Sequence, residues 1–354
     1  MTIQQLLDLA ITRNASDLHL LVGEIPNLRI NGDLVPVQGV EKITAADIET
    51  LIFPLLVEHQ KGVLIQNWEL DLGLDFENKA RFRINLYKQR GNLAAAFRLI
   101  PRQIRGLQET GLPQVVNKIP ELKQGFILVT GPTGHGKSTT LAAFINQINL
   151  TRHAHIVTVE DPIEYVYPRG NSLISQRELN SDTKSWSNAL KSALREDPDV
   201  VLIGEMRDLE TMAAAMTIAE TGHLVFATLH TNSAAQTVDR IIDVFPVNQQ
   251  PQIRVQMAAV LEAIISQRLI PTIFPGRVLA TELLFGNPAV RSIIREGKTH
   301  LIDNLIQTSA ELGMRNMETS LVTLVREGKI SAETAQKYTY RPQLLNKMLG
   351  ITGG

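Results

Sequence analysis

The eight residues Gly131-Pro132-Thr133-Gly134-His135-Gly136-Lys137-Ser138 constrain this chain more than any other stretch. They fit G-x-x-x-x-G-K-[ST] at every fixed position. Phe126-Ile127-Leu128-Val129-Thr130 runs up to them, nearly all apolar, as expected of a parallel strand covered on both faces. A helical pattern begins at Lys137. Strand, glycine-rich turn and helix together make a phosphate cradle. The glycines let backbone N–H groups turn inward with no Cβ in the way. The helix N-terminus adds the positive end of its dipole. Lys137 is placed for the β- and γ-phosphates of ATP and Ser138 for Mg2+. Residues 131–139, ending at Thr139, are the expected nucleotide-binding loop. His135 stands where small residues are frequent and reads as a solvent-facing loop residue, not as a catalyst.

The chain around the loop has a consistent texture. Apolar runs at 156–159, 200–203 and 224–228 alternate with helical patterns, which predicts a doubly wound α/β core. Before it, Ile3, Leu6, Leu7, Ala10 and Ile11 have helical spacing, and residues 18–22 read as a strand. Asn31-Gly32 between apolar runs signals a two-residue hairpin. Thr44 and Asp47 resemble a capping box opening a helix through about Val57. Leu70, Leu72, Leu74 and Phe76 alternate with polar residues, as do Phe82, Ile84 and Leu86. The expected division is a small α+β domain over 1–100, a Pro/Gly-marked linker over 101–122, the ATPase core over 123–285 and a helical region over 286–354.

Composition narrows the class. With 44% apolar and 20% charged residues, the 354-residue chain falls in the globular range. The 35 Lys and Arg nearly balance the 36 Asp and Glu, which speaks against a nucleic-acid partner or a polybasic anchor. With no cysteine there are no disulfides, thiolate metal sites or thiol nucleophiles, and this suits a reducing cytoplasm. The first residues lack a basic and apolar leader pattern, and no apolar run approaches the roughly 18 residues of a membrane span. Membrane work is therefore expected to go through a partner.

Acidic and basic residues then gather around the loop. Asp199-Val200-Val201-Leu202-Ile203-Gly204-Glu205 is an apolar strand ending in an acid, a Walker B pattern that places Glu205 near Mg2+. Glu160, Asp161 and Glu164 follow another apolar run, and a carboxylate there is a candidate to polarise the attacking water. His223 and His230 bracket the run 224–228, too far apart for a metal pair, and His230 is at the end where γ-phosphate contact is geometrically possible. Arg81 and Arg83 share one face of a strand, with Arg98 on the next. Arg195 reads as structural, bridging Glu196, Asp197 or a nearby turn.

GPTGHGKSTT (131–140), VTVEDPIEYV (157–166), ALREDPDVVLIGEMRD (193–208) and ETGHLVFATLHTNSA (220–234) together resemble the secretion ATPase superfamily. In that family they are the Walker A, Asp, Walker B and His boxes. Ala289 to Lys298 is similar to the AIRNLIREGK motif of type IV pilus retraction ATPases, with Val290 and Ser292 departing from it, and ASDLHL (15–20) is also a family phrase. The resemblance covers essentially the whole chain. It implies a PAS-like N-terminal domain, a RecA-like core, a homohexameric ring and twitching motility powered by ATP hydrolysis. It implies Glu164 as general base with Glu160 second, and Arg81 and Arg83 as cations supplied to the phosphate site. It also implies a cytoplasmic protein peripheral at the inner membrane, with the pilus platform protein as partner and a paralogous retraction ATPase as a further candidate. Extension and type II secretion ATPases usually carry a tetracysteine insert, which a cysteine-free chain lacks. A secretion motor, a RecA-type nucleic-acid translocase and a nucleotide-sensing regulator are the competing readings. In the 289–298 segment, Ala289, Val290, Ile293 and Ile294 are expected to form a buried stripe. Arg291, Ser292, Arg295, Glu296 and Lys298 are expected to point outward.

Overall fold

The computed structural model describes residues 1–30, 32–77, 79–100 and 103–351. They form two compact units, one of residues 1–103 with 162–166, the other of 104–161 with 167–354. Both are mixed α/β, as the sequence predicts.

The first unit is built on an antiparallel sheet. Its strands are β1 (Asp17–Leu21), β2 (Asn27–Ile30), β3 (Asp33–Pro36), β4 (Glu69–Phe76), β5 (Ala80–Gln89) and β6 (Asn92–Ile100), in the order β3-β2-β1-β6-β5-β4. Ile30 pairs with Asp33 across the expected hairpin, whose Asn31 lies outside the described residues. Alternation along β5 buries Phe82, Ile84 and Leu86 and leaves Arg81 and Arg83 on the other face. Phe82 meets Phe76 and Phe97 edge to face, an arrangement that aromatic quadrupoles favour. Thr44 and Asp47 exchange hydrogen bonds at the start of helix Ala45–Ile52. That helix stops short of Val57, because Pro54 enters a 3-10 turn, Phe53–Leu55. A separate helix, Glu58–Asn67, was not legible because it buries only Leu64 and so lacks an apolar stripe.

The second unit holds β7 (Gly125–Thr130), β8 (His155–Glu160), β9 (Leu173–Glu178), β10 (Val200–Ile203), β11 (Leu224–Leu229), β12 (Leu261–Pro271) and β13 (Arg277–Phe285). The order is β13-β12-β7-β11-β10-β8-β9, parallel except for β13. Successive β7 residues serve opposite faces. Phe126 and Leu128 pack with Met212 and Ile241, while Ile127 and Val129 pack with Leu141 and Phe144. Helices thus cover both sides, which is why the strand reads as a continuous apolar run. Residues 107–121, within the stretch read as a linker, form two 3-10 helices. They bury Leu107, Val116 and Ile119 in this unit, while Pro101 lies outside the described residues. The C-terminal helices seat Leu321 and Leu345 against Ile270 and Ala280 of the β12–β13 hairpin.

The helix Pro288–Arg295 corrects two expectations. Asn287 caps it, and Val290 and Ile294 are buried, but Ala289 is exposed and Ile293 only half-buried. Arg291 does not point outward. Its guanidinium donates to the Ala258 and Ala259 carbonyls at the end of helix Gln250–Val260, and to Glu262 Oε1 at 2.6 Å. Arg195 is exposed and is not the group that bridges Glu196, whose Oε1 takes Arg177 Nη1 and Ser192 Oγ at 2.8 Å each.

Candidate nucleotide site

Parallel pairing brings the carboxyl ends of β7, β11, β10 and β8 to one edge of the sheet, where ligands of open α/β folds collect. The phosphate loop leaves β7 and enters helix Lys137–Thr151 through Gly136, which adopts a left-handed conformation at φ 85°. No side chain caps this helix, so its first N–H groups face the loop. Gly131 has no alternative residue type. Its φ is 138°, and a Cβ there would stand 2.3 Å from the Gln267 carbonyl oxygen.

The side chains at the strand ends are stapled together. Thr228 Oγ1 on β11 donates to Gly204 O at 2.5 Å, and Met206 N donates to Thr228 O at 3.1 Å. These two bonds hold the end of β10 beside the end of β11, so that Glu205 and His230 meet. His230 Nε2 lies 3.1 Å from Glu205 Oε1, and its Nδ1 lies 3.4 Å from Lys137 Nζ and 3.5 Å from Thr133 Oγ1. An ammonium can only donate, so Nδ1 accepts from Lys137 and a neutral ring carries its proton on Nε2, toward Glu205. Lys137 Nζ also donates to Gly131 O and Pro132 O, at 2.8 and 3.0 Å. Burial pushes the Glu205 carboxyl up, but hydrogen bonding from Arg207, the Arg207 charge and the hydrogen bond from His230 bring it below its ordinary value.

Arg207 was not singled out from sequence, yet it grips Glu205 with Nε on Oε1 and Nη2 on Oε2, each at 2.9 Å. Its place two residues after the strand-ending acid was the available signal. Glu160, buried at the end of β8, accepts from Thr158 Oγ1 at 2.7 Å and Gln176 Nε2 at 3.3 Å. Glu164 lies in the 162–166 segment that groups with the first unit, where Ile163 O accepts from Arg81 Nε at 3.3 Å. Arg81 also pairs with Asp75 at 2.6 Å, and Arg98 with Asp17 at 2.9 Å. Arg83 stands opposite Gly73 and Arg98 in the sheet register. His223 is at the far end of β11, where its Nδ1 lies 3.0 Å from both the Ile218 carbonyl and Thr221 Oγ1. His135 is not solvent-facing, as expected from sequence, but half-buried against β12.

A phosphate loop after a buried strand, with a strand-ending acid and a histidine beside it, defines an α/β P-loop protein. The chain belongs to the family described as type II/IV secretion system protein, whose profile matches residues 1–336. It is 48% identical over 313 residues to a twitching motility protein of Neisseria gonorrhoeae, covering 88% of this chain and 83% of that one. It is 43% identical over 343 residues to the type IV pilus retraction ATPase PilT of Pseudomonas aeruginosa, covering 97% and 99%. A solved structure of the pilus retraction motor PilT with bound ADP superposes with a TM-score of 0.92 at 44% identity, covering 98% and 99%. These findings meet the resemblance and the fold class read from the motifs.

Proposed function

We propose that this chain is the ATP-hydrolysing motor of type IV pilus retraction. The observation that carries this reading is the Lys137–His230–Glu205 chain at the phosphate loop, in a protein alike over nearly its whole length to a pilus retraction ATPase. ATP binds along 131–139, with Lys137 turning from its loop carbonyls to the β- and γ-phosphates. Mg2+ fits the oxygen donors offered, the Ser138 hydroxyl and the Glu205 carboxylate, since it favours few carboxylates, several waters and phosphate oxygens. When bound it supplies charge neutralisation of the phosphates. Glu164 orients and deprotonates the attacking water. Glu160 is second choice, because two donors already occupy its Oε1. His230 fixes Glu205 and meets the γ-phosphate. Six copies form a ring, Arg81 and Arg83 supply cations to the phosphate site, and nucleotide turnover sets the ring in motion. The motion drives the inner-membrane platform of the pilus, with a paralogous ATPase as a further partner. No helix among the described residues is long and apolar enough to cross a membrane. The test is steady-state hydrolysis by purified protein. Lys137→Ala is expected to lose nucleotide binding. Glu205→Gln is expected to bind ATP but turn it over about 100-fold more slowly. Wild-type turnover by Glu205→Gln would contradict the assignment, and stimulation by DNA would favour a translocase.

A further inference from the structure

The phosphate loop is held from outside along strand β12. Thr130 Oγ1, just before the loop, donates to Ser266 Oγ at 2.9 Å. Gly131 lies against the Gln267 backbone closely enough to exclude a Cβ. Gln267 Nε2 donates to the His135 carbonyl at 2.8 Å, and Leu269 N donates to the His135 ring at Nδ1, 3.0 Å away. Gln267 is 1% exposed, so this clasp is built into the core and is not a surface contact. His135 is thus gripped twice, through its backbone and its side chain, by residues two apart on one strand.

The ring bond fixes the chemistry of His135. A backbone N–H can only donate, so Nδ1 offers its lone pair and the neutral ring carries its proton on Nε2. Protonating Nδ1 would set two donors face to face. The groups around the ring oppose that charge as well. Burial comes first, then Arg268 of β12, Lys137 of the loop and Arg277 of β13, and together they hold the imidazole below its ordinary 6.5.

We infer that His135 is a positioning residue whose neutral ring latches the phosphate loop to β12, and that protonating it frees the loop and weakens nucleotide binding. The inference rests on the reading of 131–139 as a nucleotide site. The latch acts by preorganisation, since a loop already in its binding shape gives up less freedom when the phosphates arrive. The sign follows from the native state being the neutral one. The latch is whole at neutral pH and is lost as pH falls below the ordinary histidine value. A histidine that touched phosphate directly would behave oppositely, because an imidazolium attracts the anion and tightens binding in acid.

The test is equilibrium binding of a fluorescent ADP analogue to the purified full chain at pH 8 and pH 5.5. The wild type is compared with His135→Asn and His135→Ala at each pH, so that the nucleotide's own titration cancels. Asparagine keeps an acceptor near the Nδ1 position and does not titrate. At pH 8 the wild type and His135→Asn are expected to bind alike, with His135→Ala several-fold weaker. At pH 5.5 the wild type is expected to fall about fivefold behind His135→Asn, the scale of one lost hydrogen bond, and toward His135→Ala. A wild type that tracks His135→Asn at both pH values overturns the latch alone, as does one that tightens in acid relative to it. Absence of wild-type binding at pH 8 overturns the nucleotide-site reading and the latch with it.

Discussion

Glu282 shows how a single buried residue carries a condition on the whole fold. It lies on β13 with 2% of its surface exposed, and its Oε1 accepts from Ala234 N at 2.8 Å. That N–H opens the helix Ala234–Asp243, which follows the His230 loop. Burial raises the Glu282 carboxyl to about 7, against the pull of the Ala234 bond, with Asp303 and Glu318 adding to the rise and Arg341 opposing it. Between 4.5 and 7 the native state therefore holds a proton that the unfolded chain gives up, and stability falls as pH rises through that window. Glu282→Gln keeps the acceptor for Ala234 and removes the titration. We expect it to stabilise the protein at pH 8 by on the order of 3 kcal/mol, since the carboxyl is raised from 4.5 to about 7 and each pKa unit is worth about 1.4. Near pH 4.5 the two proteins should melt together. Thermal melts at both pH values check this, and an equal effect at both would mean that Glu282 is not protonated in the fold.

At the scale of elements, the helix Pro288–Arg295 does two jobs with two arginines. Arg291 reaches across to the carbonyl end of helix Gln250–Val260 and to Glu262, whereas Arg295 is exposed in the last turn. Removing Arg291 leaves those carbonyls and one carboxylate without their cation, and Arg291→Ala should cost about 2–3 kcal/mol of stability. Arg295→Ala should stay within about 0.5 kcal/mol of wild type. We propose that the exposed face of this helix passes the motor's motion to the pilus machinery, so that Arg295→Ala keeps ATP hydrolysis but stops twitching, and normal twitching would make it an ordinary charged surface. Urea titrations and a twitching assay separate the two residues. The sequence showed this helix and its cap, but not where Arg291 goes. A helical wheel sends every arginine outward, and the carbonyls that draw this one in belong to another helix. Strands β12 and β13 were hidden because, though buried on both faces for much of their length, they carry Ser266, Gln267, Thr281 and Glu282 inside and so break the apolar run that marks the other core strands. His135 was misread because its partner Leu269 lies 134 residues away. What was legible was local: the phosphate loop, the Glu205 strand and the His230 strand each announce themselves within a dozen residues, because burial on both faces writes itself as an unbroken apolar run.

At the scale of the molecule, the arginines of the first unit divide by what they already hold. Arg81 is bound to Asp75 and to the Ile163 carbonyl beside Glu164. Arg83 has no side-chain partner among the described residues, and it stands opposite Arg98, whose charge Asp17 already answers. Within the proposed ring, Arg83 is therefore the better candidate for a cation given to a neighbouring subunit, and Arg81 for one that holds the Glu164 segment in place. The central claim is that hydrolysis at the phosphate loop withdraws pili. The most direct measurement is imaging of labelled pili on living cells whose only copy of this chain is Glu205→Gln. The account predicts long pili that extend and do not retract, while the wild-type copy restores retraction. Retraction at wild-type frequency in the Glu205→Gln cells would contradict it.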